Sequence, residues 1–201
     1  MVNKRDPEAT RAAILAAAED AFLEQGFAEA STSDIARRAG VTKSLIHHHF
    51  GSKQKLWTEV KVRRFGEYAQ RQQNMLDQST PTAELLRESL ELYFRFLQKT
   101  PQTVRLMAWM YLEGDNDCGD LDRAVLKNGV ETIRAAQEDG QLRKDVDPRY
   151  LLFSFLFLAQ HWFQSREHLC RDLEMEGPVE DRDEEYFENM LKIFFEGVLP
   201  R

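Results

Sequence analysis

The sequence predicts an all-α fold, and three observations carry that prediction. Apolar residues recur at three- and four-residue spacing along most of the chain. No stretch alternates with the period of two that marks a strand. Only 6 Pro and 10 Gly interrupt 201 residues. With 42% hydrophobic and 30% charged residues, the chain has enough apolar material for a core and the charge of an ordinary globular protein. The longest apolar run, residues 150–163, is too short to span a bilayer and contains Ser154, Gln160 and His161, so it reads as a buried helix. Nothing at the N-terminus resembles a secretion signal, and no membrane partner is expected. Cys118 and Cys170 lack a CxxC or a histidine at metal spacing, so free thiols in a reducing cytoplasm are expected.

The elements follow in order. Asp6 is placed as an N-cap and Pro7 at the first position of a helix over residues 7–25, with Ile14, Leu15, Ala18 and Phe22 on one face. Gly26 is expected to end it in the left-handed C′ conformation, with Phe27 folding back. A short helix starts at Thr32, whose hydroxyl is expected to cap it, and stops at Gly40. Val41 reads as a buried plug. Thr42 is expected to cap a third helix over residues 43–49, and Ser52 a fourth and longer one from Lys53. Further helices are expected over residues 83–99, 104–112 and 121–138, and from Pro148 to about Leu169. An acidic loop spans residues 171–183, and Asp183 is expected to cap a last helix that ends before Pro200.

Charge is unevenly spread. The net charge is −7, yet residues 33–64 hold eight basic residues against Asp34 and Glu59, a local excess of six that leaves −13 for the rest. A basic stretch on an acidic chain fits phosphate binding, and it equally fits a solvated charged face.

Two short helices meeting at a tight turn around Gly40 have the layout of a helix-turn-helix, whose second helix enters the major groove of DNA. On that second helix Ile46 and Phe50 lie four apart and would face the small core. Lys43, Ser44 and His47 then point outward with His48 alongside, and Leu45 flanks them within reach of a thymine methyl group. Thr32, Ser33, Thr42, His49 and Lys53 sit at helix starts or flanks, where hydroxyls, lysines and amides suit phosphate oxygens. The run His47-His48-His49 is not expected to hold a metal, because consecutive helical residues diverge by about 100° and cannot converge on one ion.

Residues 32–56, TSDIARRAGVTKSLIHHHFGSKQKL, resemble the DNA-binding signature of TetR-family regulators, and residues 14–27 resemble the family's first helix. The resemblance covers about residues 10–60; beyond it the likeness is architectural. It implies an N-terminal three-helix helix-turn-helix domain, residues 1–55, followed by a C-terminal helical ligand-binding and dimerisation bundle, residues 56–201. It also implies a homodimer, a double-stranded DNA operator and a small-molecule effector. One departure stands out. The family commonly carries two aromatic residues, usually tyrosines, where this chain has His47 and His48. Imidazoles there raise the expectation of tighter operator binding below about pH 6.5, against the alternative of neutral donors with no pH role.

The apolar helix over residues 151–163 must be covered on opposite sides, and the last helix has a similar character. Leu152, Phe155, Trp162, Phe187, Met190 and Phe194 are the candidate dimer interface. Among the middle helices the resemblance implies an effector cavity, with Phe65, Phe96, Trp109 and Met110 as candidate walls and Arg105, Gln160 and His161 as candidate polar anchors. Plain hydrophobic core is the competing reading of the apolar ones. The sequence carries no nucleophile elbow, phosphate loop or zinc-protease motif, so neither an enzyme nor a cofactor is expected. The alternative to a regulator is a helical ligand-binding or interaction module without DNA binding.

Overall fold

Helix is what the backbone adopts almost wherever the computed structural model describes it, over residues 6–78, 82–115 and 120–198. Within those residues there is no strand. The chain divides into two units. The first holds α1 (Pro7–Glu29), α2 (Thr32–Arg38), α3 (Lys43–Phe50), α4 (Lys53–Gln78) as far as Gly66, and the part of α6 (Pro101–Leu112) from Arg105 onward. The second holds the remainder of α4, α5 (Ala83–Lys99), the first turn of α6, α7 (Asp120–Glu138), α8 (Pro148–Asp172), a 3₁₀ turn at Val179–Asp181, and α9 (Arg182–Val198). The division therefore does not fall at 55/56. Leu56, Trp57, Val60 and Lys61 of α4 are sealed into the first unit, because their apolar surface has its partners there.

The first unit is built on Ile14, Ala18 and Phe22 of α1, Ile35 of α2, Ile46 and Phe50 of α3, and Leu56 and Trp57 of α4, all buried. Phe22 meets Trp57 edge to face at 4.9 Å, and Phe27 lies 5.9 Å from the same indole. The caps follow the sequence in part. Asp6 accepts from the Glu8 amide and Ser52 from the Lys55 amide. α2 is capped by Ser31, which accepts from the Asp34 amide, rather than by Thr32, which lies already inside the helix. Thr42 is the N-cap residue of α3, but its hydroxyl pairs with Ser44 Oγ at 2.8 Å instead of an amide. Val41 is only half-buried.

Gly26 does not close α1 in the left-handed helical conformation. Its φ of 76° with ψ of 179° kinks the chain, and one more turn follows through Glu29. Only glycine enters that region readily. Here a side chain would also have no room, because a Cβ on Gly26 would lie 2.6 Å from Trp109 Cε3.

In the second unit α5, α8 and α9 share an aromatic core. Phe94 lies 4.8 Å from Phe163 and 4.7 Å from Phe187, and Trp162 stacks on Tyr186 at 4.1 Å. α6 begins at Pro101, three residues ahead of the expected Val104, since proline is well suited to a first helical position. Asp183 is not a cap. It is buried in the first turn of α9, accepts from Trp162 Nε1 at 2.8 Å and Gln98 Nε2 at 3.3 Å, and pairs with Arg166.

The same packing engages most of the candidate dimer residues within one chain. Phe155, Trp162, Phe187, Met190 and Phe194 are buried within the single chain, and Leu152 is half-buried. They form the stripe that α8 and α9 turn toward their own core. Large apolar residues left outward on these helices include Tyr150, Phe153, Phe157, Leu158, Leu169 and Ile193, exposed by 65%, 42%, 56%, 40%, 41% and 70%. Cys170 is a free, buried thiol; Cys118 lies outside the described residues.

Candidate nucleic-acid interface

α3 is short because both ends are fixed by the backbone. Val41 donates its amide to Ala36 O and so closes the turn after α2. At the other end the Gly51 amide returns to His47 O, with φ of 77° at Gly51. Ile46 and Phe50 are 0% and 5% exposed and bolt the helix to the first unit. With that face spent, Lys43, Ser44, His47 and His48 are exposed, while Leu45 and His49 are half-buried on its flanks. The structure thus brings the predicted reading residues onto one open side.

The flanking residues divide. Thr42 and Ser33 are exposed and Thr32 half-buried. Lys53 is already engaged, with its ammonium donating to Ala28 O at 3.0 Å and standing over the Phe27 ring at 4.5 Å. It holds the kinked end of α1 to α4, and only its remaining donors face outward.

The basic stretch is smaller than its sequence count. Arg37 pairs with Asp34, and Arg38 reaches both Asp34 and Glu24 at 2.7 Å. These arginine hydrogen bonds hold the Asp34 and Glu24 carboxyls below the usual carboxylate range and raise the Arg38 guanidinium. Arg64 pairs with Glu19, with Arg63 near the same carboxylate, and Lys61 pairs with Asp115. Among the described residues, Lys43, Lys53 and Lys55 are the cations of this stretch without a carboxylate partner. Lys43 opens α3, and Lys53 and Lys55 lie in the first turn of α4 that follows it.

Three side chains from the end of α6 and the turn after it fix the first unit, and sequence reasoning missed that role. Trp109 Nε1 donates to Leu23 O at 3.1 Å, and Glu113 Oε1 receives the Ala28 amide at 3.0 Å. Asp115 receives Trp57 Nε1 at 2.9 Å, Lys61 Nζ at 2.8 Å and Gln54 Nε2 at 3.1 Å. Trp57 and Lys61, four apart on α4, advertise one face in the sequence. Nothing in the sequence points to Asp115 as their acceptor.

The chain matches the family described as bacterial regulatory proteins, tetR family, over residues 14–60, and the tetracyclin repressor-like C-terminal domain over residues 90–185, together well over half of its length. It belongs to the TetR family. As a TetR-family protein it is a helix-turn-helix transcriptional regulator, with α2 and α3 as its motif. It is 28% identical over 206 residues to the regulator RutR of Escherichia coli K12, covering 98% of this chain and 94% of RutR. It is 30% identical over 105 residues to the transcriptional activator FasR of Mycolicibacterium smegmatis, a match that spans about half of each protein, 52% of this chain and 48% of FasR. Among solved structures, the transcriptional regulator SCO4942 of Streptomyces coelicolor superposes with a TM-score of 0.73 at 25% identity, covering 92% of this chain and 97% of that one.

The effector-site candidates of this TetR-family chain fall in different units. Phe65, Arg105, Trp109 and Met110 belong to the first; Phe96, Gln160 and His161 belong to the second. Trp109 is committed to α1 through Leu23 and Gly26. Arg105 and His161 are exposed, the latter bonded to Gln164 Oε1 at 2.9 Å, and so do not serve as buried anchors within one chain. Phe96 stacks on Tyr68 at 4.7 Å, next to Tyr93.

Proposed function

We propose that this regulator is a repressor. As a homodimer it reads a double-stranded operator through α3, and a small-molecule effector releases it. The observation that carries DNA reading is the division of α3 into a buried Ile46–Phe50 edge and an open Lys43–Ser44–His47–His48 face. Leu45 is available to a thymine methyl group, and Thr32, Ser33, Thr42, His49, Lys53 and Lys55 are available to phosphates. A role at an operator goes with a cytoplasmic location, which is part of this proposal. No described helix is long and apolar enough to cross a membrane.

The dimer surface we favour is the outward stripe of α8, Tyr150–Phe153–Phe157, with Ile193 of α9. Large apolar side chains repeat there at helical spacing and stay exposed in one chain. For the effector we favour the interior of the second unit. Tyr68, Tyr93 and Phe96 cluster there, and among the described residues the buried atoms Gln72 Oε1 and Thr103 Oγ1 have no hydrogen-bond partner. Ligand would select a conformation with misplaced reading helices, and a coupling of about 1–3 kcal/mol gives a useful switch.

Gel shift of the purified chain on its own upstream region tests the core of this reading. A specific complex lost on mutating Lys43 and Ser44 together to alanine supports it. Equal binding to unrelated DNA, unaffected by those changes, refutes it.

A further inference from the structure

The ring of His47 is held in one protonation pattern by the end of its own helix. Its Nδ1 lies 3.1 Å from the carbonyl oxygen of Gly51. A carbonyl oxygen only accepts, so Nδ1 carries the proton of this bond. The carbonyl is itself fixed. Gly51, at φ 77° and ψ −52°, is the centre of a γ-turn in which the Ser52 amide donates to Phe50 O at 2.9 Å, and the Gly51 amide donates to His47 O at 2.9 Å. His47 and Gly51 thus bond reciprocally, amide to carbonyl and ring to carbonyl. A neutral imidazole has a single N–H, so with Nδ1 protonated its Nε2 is a bare acceptor.

We propose that His47 is a specificity-determining residue that accepts a hydrogen bond from the exocyclic amine of a base, adenine N6 or cytosine N4. The inference rests on α3 being the base-contacting helix. In the major groove only those two groups donate; guanine and thymine present oxygen acceptors at the corresponding edge, and phosphate oxygens also only accept. A neutral His47 with a bare Nε2 matches adenine or cytosine on the strand it faces, and is mismatched to guanine, thymine or phosphate. The exposed Ser44 and Lys43 on the same side read or hold other groups and do not share this constraint, since a hydroxyl rotates and an ammonium only donates.

The test is selection of operators from a randomised duplex library with the full-length chain at pH 8.0, above the range near 6.5 in which imidazoles ordinarily titrate. Wild type, His47→Phe and His47→Lys are compared, with circular dichroism to confirm that each variant is folded. Wild type is expected to enrich adenine or cytosine over guanine or thymine by about tenfold at one position of each half-site. His47→Phe should erase that bias while leaving the remaining positions intact, and His47→Lys, which only donates, should shift the same position toward guanine or thymine. Wild-type preference for guanine or thymine at the position that His47→Phe alters would overturn the proposal. So would an unchanged motif in His47→Phe. Should wild type select no motif at all, the regulator reading itself fails, and the proposal with it.

Discussion

Take away the carboxylate of Asp115 and the first unit keeps a buried ammonium without its counter-ion. Lys61 is 1% exposed and Asp115 27%. Removing one partner of a buried pair costs about 3–5 kcal/mol, mostly from the charge left behind. Asp115 itself reaches solvent, so water can partly replace it, and about 2–4 kcal/mol is the expected cost of Asp115→Ala. For a chain of this length that is a melting-point drop of about 4–16 °C, at about 2–4 °C per kcal/mol. The companion change Lys61→Met removes the charge while keeping the stem's volume. In the double variant the Trp57 and Gln54 donors still lose an acceptor, so about 1–2 kcal/mol should remain. The assay is a double-mutant cycle by thermal and urea unfolding at one fixed protein concentration, since a dimer's stability depends on concentration. The expected signature is a double variant more stable than Asp115→Ala alone. A double variant at least as unstable as Asp115→Ala would refute the argument that the buried charge carries the cost.

Gly26→Ala should cost about 2–3 kcal/mol and weaken DNA binding, because the new Cβ meets the Trp109 ring at a positive φ; chemical denaturation and gel shift read the two effects. Ser52→Ala and Ser31→Ala should each cost about 1 kcal/mol through a lost cap, whereas Thr42→Ala, which has no amide to lose, should stay within about 0.5 kcal/mol. Phe157→Glu should shift the protein toward monomer in size-exclusion chromatography with its fold intact, while Phe155→Glu, placed in the core, should unfold the second unit. Hydrogen bonds from Arg149 hold the Asp147 carboxyl down to about 2, so its stabilising share at the start of α8 is present above the ordinary value of 3.8 and lost as pH falls from about 4 toward 2. Asp147→Asn should flatten acid unfolding in that window, followed by helical circular dichroism.

What the sequence made legible was local. Ile46 and Phe50 sit one helical turn apart, and that spacing alone placed them inward and left Ser44 and His47 outside. Proline and aspartate set the starts of α1 and α8 through bonds between neighbours, so they could be read from neighbours. Hydroxyls were harder, since Ser31 and Thr32 both qualify as caps and only the backbone angle separates them. Illegible features depended on partners far along the chain. Asp115 meets Lys61 across 54 positions, and Asp183 meets Gln98 across 85. Asp183 reads as a cap in the sequence, and neither carboxylate advertises a distant partner, because an acidic residue between helices does not say whether it turns inward.

The candidate dimer residues show a related difficulty. A helix apolar on every side, such as α8, has two faces with equal claim to be the interface, and periodicity cannot rank them. The core of the chain decides: it takes the Phe155–Trp162 stripe, which packs against Tyr93, Phe194 and Tyr186, and leaves Phe153 and Phe157 facing out. The basic stretch shows the same logic with charge. Eight cations looked like one phosphate-binding patch, yet Arg38, Lys61 and Arg64 are used to hold α1, α2, α4 and the end of α6 together. Under the proposed reading three lysines around a short helix remain for phosphates, and discrimination falls to the open face of α3, where His47 has its donor already spent.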